Sequence, residues 1–117
     1  MQLPYNLSMR EAATRATQPS ATGPVPLLQA AAEAGLYVMS SASIMQGRLS
    51  SRLPGSTDAL GAGGLETAAQ KALQFVRSTP GLGTALVGMK ETAHIAENLR
   101  VVTAPVATPD ALRPLLS

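Results

Sequence analysis

Three short apolar runs, each followed by a segment of helical composition, constrain this chain more than any other feature. They are Gln2–Leu7 (QLPYNL), Leu36–Met39 (LYVM) and Thr84–Val87 (TALV). Strands that are nearly continuously apolar and alternate with helices indicate a parallel sheet covered by helices. The fold class is therefore α/β.

Local signals divide the rest. Thr17 to Pro24 has the Pro, Gly, Ser and Thr content of a loop. Pro26 suits a first helical position, Leu27 to Ala34 is rich in helix formers, and Gly35 suits the residue that ends a helix. Ser50 to Gly64 is a glycine-rich loop. From Leu65 to Ser78 the spacing predicts a helix with Leu65, Ala69, Leu73 and Val76 on one face and Glu66, Gln70 and Lys71 off it. Pro80-Gly81 stops it. Thr92 suits an N-cap for a helix from Ala93 to about Leu99. Pro105, Pro109 and Pro114 predict an irregular tail over residues 103–117, with one helical turn at Asp110 to Leu112.

Three such units do not close on themselves. An eight-unit barrel takes about 250 residues, and a three-stranded piece leaves unpaired edges. The pattern is that of a cut piece. A packed core is affordable, with 45% apolar and 14% charged residues, but with 3% aromatics it must be built from Ala, Leu, Val and Met.

Composition also excludes. The nine Lys and Arg are scattered, giving a net charge of +2 with no basic run interleaved with aromatics, which argues against nucleic acid. The absence of Cys and the single histidine, His94, exclude a disulfide framework, a thiolate metal site and a His-cluster metal centre. No run approaches a membrane span, and the start lacks the order of a signal peptide, so the expected location is cytoplasmic.

No catalytic constellation can be assembled. Tyr5 and Tyr37 fall on predicted strands, where buried structural tyrosines are common. The acidic residues form no dyad or cage, and Ser40, Ser41 and Ser43 do not form a nucleophile elbow. The third unit says more. After Val87 the chain reads Gly88-Met89-Lys90-Glu91-Thr92-Ala93-His94-Ile95-Ala96-Glu97-Asn98. A strand ending at a glycine before a helix start directs unpaired amides at the mouth of a sheet, where an anion is stabilised. Lys90 adds a positive charge, and His94 can share a helix face with Glu97 and Asn98. Two readings fit this spacing, a capped surface helix with solvated polar groups and a nucleotide site.

The stretch Ala72–Gly81 (ALQFVRSTPG) with Thr84–Met89 (TALVGM) and His94–Leu99 closely resembles the end of aldo/keto reductases. So does Glu33–Met39 (EAGLYVM) followed by Ser40–Leu49 (SSASIMQGRL), and Gln2–Leu7 looks like the family's sixth strand. The likeness covers residues 1–102 in the family's order. It implies a partial (β/α)8 TIM barrel, units six to eight, and an NADP-dependent oxidoreductase of aldehydes and ketones. On this resemblance Gln2 matches the glutamine that hydrogen-bonds the nicotinamide carboxamide. Ser41 stands where many members carry a stacking aromatic, and Ile44, Gln46 and Gly47 match the loop along the pyrophosphate. Gly88 and Lys90 match positions near the adenosine ribose and its 2′-phosphate. His94 replaces an arginine or glutamine lying against the adenine, and Glu97 and Asn98 match residues that hydrogen-bond the adenine edge.

The same resemblance assigns the proton-donating tyrosine and its aspartate, lysine and histidine partners to the first half of the barrel. Tyr5 and Tyr37 do not match that tyrosine. The expectation is a nicotinamide-nucleotide site without catalytic residues, inactive alone. The missing half of the barrel or a self-association partner would cover its edges. The alternative is a non-catalytic truncated interaction module that dimerises or complements another chain.

Overall fold

The computed structural model describes residues 1–41, 59–61, 63–88 and 92–116. Its main sheet has three parallel strands: β1 (Gln2–Pro4), β4 (Met39–Ser41) and β5 (Thr84–Ala85), in the order β1-β4-β5. Between β1 and β4 come α1 (Glu11–Thr14), the strands β2 (Ala16–Gln18) and β3 (Val25–Pro26), and α2 (Leu27–Glu33). The helix α3 (Ala68–Ser78) connects β4 to β5, and α4 (Thr92–Thr103) and α5 (Pro109–Leu116) follow β5. The α/β alternation is as expected. Each strand is shorter than its apolar run.

Register decides which side chains share a face. Leu3 pairs with Ser40, and Ser40 with Ala85; Gln2 pairs with Met39, and Met39 with Thr84. Because alternate residues point to opposite faces, Leu3, Tyr5, Val38 and Ser40 share one face, and all four are buried. Gln2, Pro4, Tyr37 and Leu86 belong to the opposite face and are exposed, with Met39, Ser41 and Thr84 half-buried. Among the described residues, helices thus cover the sheet on one side only.

The core lies on the covered side. Tyr5 stacks on Phe75 of α3, with ring centroids 5.5 Å apart and an interplanar angle of 11°, a contact worth roughly 0.5–1.5 kcal/mol beyond the area it buries. The Thr79 hydroxyl donates to the Phe75 carbonyl at 2.8 Å. Its one hydrogen being used there, it accepts from the Tyr5 hydroxyl at 3.1 Å. Burial raises the Tyr5 pKa, opposed by the Thr79 hydrogen bond and the Arg10 charge.

Gly35 ends α2 as expected. It takes φ +72°, its amide donates to Ala32 and that of Leu36 to Ala31, the paired bonds of a glycine-terminated helix. Three other expectations are corrected. The segment from Thr17 to Pro24 is not wholly loop, because Ala16–Gln18 pairs antiparallel with Val25–Pro26; the turn chemistry is confined to the residues between them. The helix after β5 continues to Thr103, since Val101 and Ala104 are buried against Leu65 and Leu73. The tail is not irregular: Pro109–Leu116 is helical, with Leu112 and Leu115 in the main core. Pro109 occupies the first position, where no amide hydrogen is needed, whereas Pro114 lies inside the helix. Thr108 Oγ1 accepts from the Ala111 amide at 3.2 Å, as a capping residue does.

Candidate functional site

The residues expected to bind cofactor divide into three groups. Gln2 and Ser41 lie on neighbouring strands and share the uncovered face of the sheet. They are not directly opposed, because Ser41 pairs with Pro4 and Gln2 with Met39. Two residues of offset along parallel strands is about 7 Å. The Ser41 carbonyl accepts from the Tyr5 amide at 3.3 Å, which holds the end of β4 against the chain leaving β1. Ile44, Gln46, Gly47 and Lys90 lie outside the described residues.

The third group follows β5. Gly88 is exposed, and a Cβ placed on it would meet nothing within 4 Å. His94 is exposed in the first turn of α4, Glu97 is half-buried and Asn98 is buried. Asn98 Oδ1 is inaccessible and has no hydrogen-bond partner, alone in this among the described side-chain atoms. A buried amide oxygen without a donor costs about 1–3 kcal/mol, so such atoms are rare and usually mark a place where something else supplies the donor.

What presents Asn98 is a polar seam between α3 and α4. Thr67 caps α3: its side chain accepts from the Gln70 amide at 3.1 Å, while Gln70 Oε1 accepts from the amides of Thr67 at 3.2 Å and Glu66 at 2.9 Å. The other end of the same side chain, Gln70 Nε2, donates to the Glu97 carbonyl at 2.8 Å. One and two turns on, Gln74 Nε2 donates to the Pro105 carbonyl at 2.7 Å and Arg77 Nη1 to the Ala104 carbonyl at 3.0 Å. Residues 70, 74 and 77 share one helix face and satisfy carbonyls along α4 and just beyond its end, where helical partners run out. Gln70 was expected off the buried face, yet it is 4% exposed. Its role was missed, although Thr67 and Gln70 have the spacing of a capping box.

The two tyrosines differ in exposure, Tyr5 being buried and Tyr37 exposed. The Tyr5 hydroxyl is buried and committed to Thr79, and the Tyr37 hydroxyl is 2.5 Å from Thr84 Oγ1. Among the described residues no group of three or more His, Asp or Glu side chains could hold a metal ion. None of their helices is long and apolar enough to cross a membrane. Two shallow grooves, one beside Ser78, Pro80 and Leu112 and the other beside Pro26, Leu28 and Gly81, contain none of the residues expected to bind cofactor.

No protein-family model and no curated protein matches the sequence. Among solved structures the chain is similar to a crystal structure provisionally described as that of a 2,5-diketo-D-gluconic acid reductase B, with a TM-score of 0.62 at 18% identity. The likeness covers 97% of this chain and 42% of that one, so this chain spans about two fifths of the length of the structure it matches. At that identity the likeness establishes architecture: the chain has the α/β fold of part of a barrel.

Proposed function

We propose that this chain is the cofactor-binding part of an NADP-dependent aldo/keto reductase, units six to eight of a (β/α)8 barrel, working in the cytoplasm. The observation that carries the reading is the buried, partnerless Oδ1 of Asn98. It sits on the helix that follows the last strand, a position from which barrels commonly bind phosphate-bearing ligands. An adenine presents an exocyclic amine, the kind of donor this oxygen lacks, and reaching the oxygen, which is inaccessible as the chain stands, requires the side chains around it to open. The fold likeness to a protein described as a reductase adds support.

In this reading Asn98 and Glu97 bind the adenine edge, and His94 lies against its ring. Gly88 admits the ribose without a side chain in the way, and the Lys90 ammonium neutralises the 2′-phosphate, which favours NADP over NAD. Ile44, Gln46 and Gly47 line the pyrophosphate, while Gln2 and Ser41 face the nicotinamide from the uncovered side of the sheet. Bound there, the nicotinamide would supply the hydride for reduction of an aldehyde or ketone carbonyl. The chain contributes binding and orientation. In this reading proton donation belongs to residues outside it.

Fluorescence titration of the chain with NADPH and NADH tests this reading. NADPH binds more tightly, and Lys90→Ala removes most of the difference, a charged contact being worth about 1–3 kcal/mol. Superimposable curves for the two cofactors would reject it. The pure chain is expected to reduce none of a panel of aldehydes; steady NADPH consumption would show that the chemistry is not confined to the absent residues.

A further inference from the structure

The peptide group between Glu97 and Asn98 is held from outside its own helix. Its oxygen, the Glu97 carbonyl, accepts from Gln70 Nε2 at 2.8 Å. A peptide group is planar and includes the Cα atoms of both residues it joins. One bond to that oxygen therefore sets the plane from which the Glu97 and Asn98 side chains both leave. Further along the seam, Gln74 and Arg77 bond the carbonyls of Pro105 and Ala104, past the end of α4. Of the three, Gln70 alone grips the helix where the adenine edge is expected.

Gln70 can serve as a fixed point because it is itself fixed. It is buried, and its Oε1 accepts from the amides of Glu66 at 2.9 Å and Thr67 at 3.2 Å. Both ends of one side-chain amide are thus committed, one to the cap of α3 and the other to α4. Asn98 depends on such support. Its Oδ1 has no hydrogen-bond partner, so nothing bonded to that oxygen fixes the side chain, and its direction is set from the backbone. Groups held in place beforehand lose less freedom when a ligand binds, and bind it more tightly.

We infer that Gln70 is a positioning residue for the nucleotide. Through the Glu97 carbonyl it holds Glu97 and Asn98 in the relative orientation in which both address one adenine edge, and it makes no contact with the nucleotide itself. This rests on the cofactor reading of Glu97 and Asn98 and adds to it a residue on the neighbouring helix, α3.

Calorimetric titration of the 117-residue chain with adenosine 2′,5′-bisphosphate tests it. Gln70→Glu keeps the acceptor for the cap and loses the donor to Glu97; it should weaken binding about five- to tenfold. Gln70→Met loses both and should weaken binding to the same extent, although it is the less stable of the two. Circular dichroism at the titration temperature checks that each variant is folded. In an Asn98→Leu background the loss from either substitution should shrink to about twofold or less, because the peptide plane no longer carries the asparagine. Losses of equal size with and without Asn98 overturn the proposal, since Gln70 then acts through general stability or charge. Unchanged affinity in both Gln70 variants also overturns it, and leaves the cofactor reading standing. A parent chain that does not bind the bisphosphate sinks the cofactor reading, and the positioning role with it.

Discussion

The side-chain amide of Gln70 donates 2.8 Å to the main-chain carbonyl of Glu97, joining the first turn of α3 to the middle of α4. The same side chain closes the cap on its own helix through Oε1. One residue therefore ends the search for partners at two helices, and it does so beside Asn98.

Replacing Gln70 by Ala should remove both functions. The loss of a cap and of a buried hydrogen bond is expected to lower the unfolding free energy by about 1–3 kcal/mol. Gln70→Glu keeps the acceptor for the cap but loses the donor to Glu97, so it should recover part of the stability. Urea unfolding followed by circular dichroism measures both variants. Equal stability of Gln70→Ala and the parent chain would show that the seam contributes nothing.

Asn98→Leu should separate binding from stability. Removing a buried oxygen that has no donor is expected to raise the unfolding free energy, by about 1 kcal/mol, while nucleotide affinity falls at least about tenfold. Sites kept for ligands commonly trade stability in this way. The same unfolding experiment, paired with NADPH titration, reads both quantities. A substantial loss of stability would mean that the amide serves the fold instead.

Tyr5 predicts a pH dependence. Burial raises its pKa, so the folded value lies above the unfolded value of about 10. Its contribution to stability is then fully present below about pH 10 and is lost as pH rises through the folded value. The difference in unfolding free energy between the parent chain and Tyr5→Phe should be flat from neutral pH and shrink in strong alkali. At neutral pH the variant should lose about 0.5–1.5 kcal/mol with the Thr79 hydrogen bond. A difference that grows with alkali would contradict the stated environment of the ring.

Two glycines should answer differently to alanine. Gly81 has φ +93°, and a Cβ there would stand 3.3 Å from the Leu28 carbonyl oxygen on α2. Backbone cannot move aside cheaply, so Gly81→Ala is expected to cost about 1–3 kcal/mol. Gly35 has φ +72°, and a methyl group there would find nothing within 4 Å, so Gly35→Ala should cost only about 1 kcal/mol. Thermal unfolding of the two variants side by side gives the order; the reverse order would refute the packing of the Gly81 turn on α2.

The amino-acid sequence by itself determined the α/β alternation, the end of α2 at Gly35 and the helix before Thr79. Each of these depends on residues within one or two turns of one another, through apolar spacing, capping side chains and the backbone freedom of glycine. The likeness to part of an α/β barrel was legible too, from short runs taken in order. Only the tertiary structure decided that Gln70 and Gln74 are buried and Arg77 half-buried, because their partners are carbonyls of residues 97, 105 and 104, far along the chain. It also decided that the tail is a helix, because Leu112 and Leu115 find an apolar core to enter. Which face of the sheet lies open was hidden for the same reason. Burial is a property of the neighbours a residue acquires on folding, and no local pattern records them.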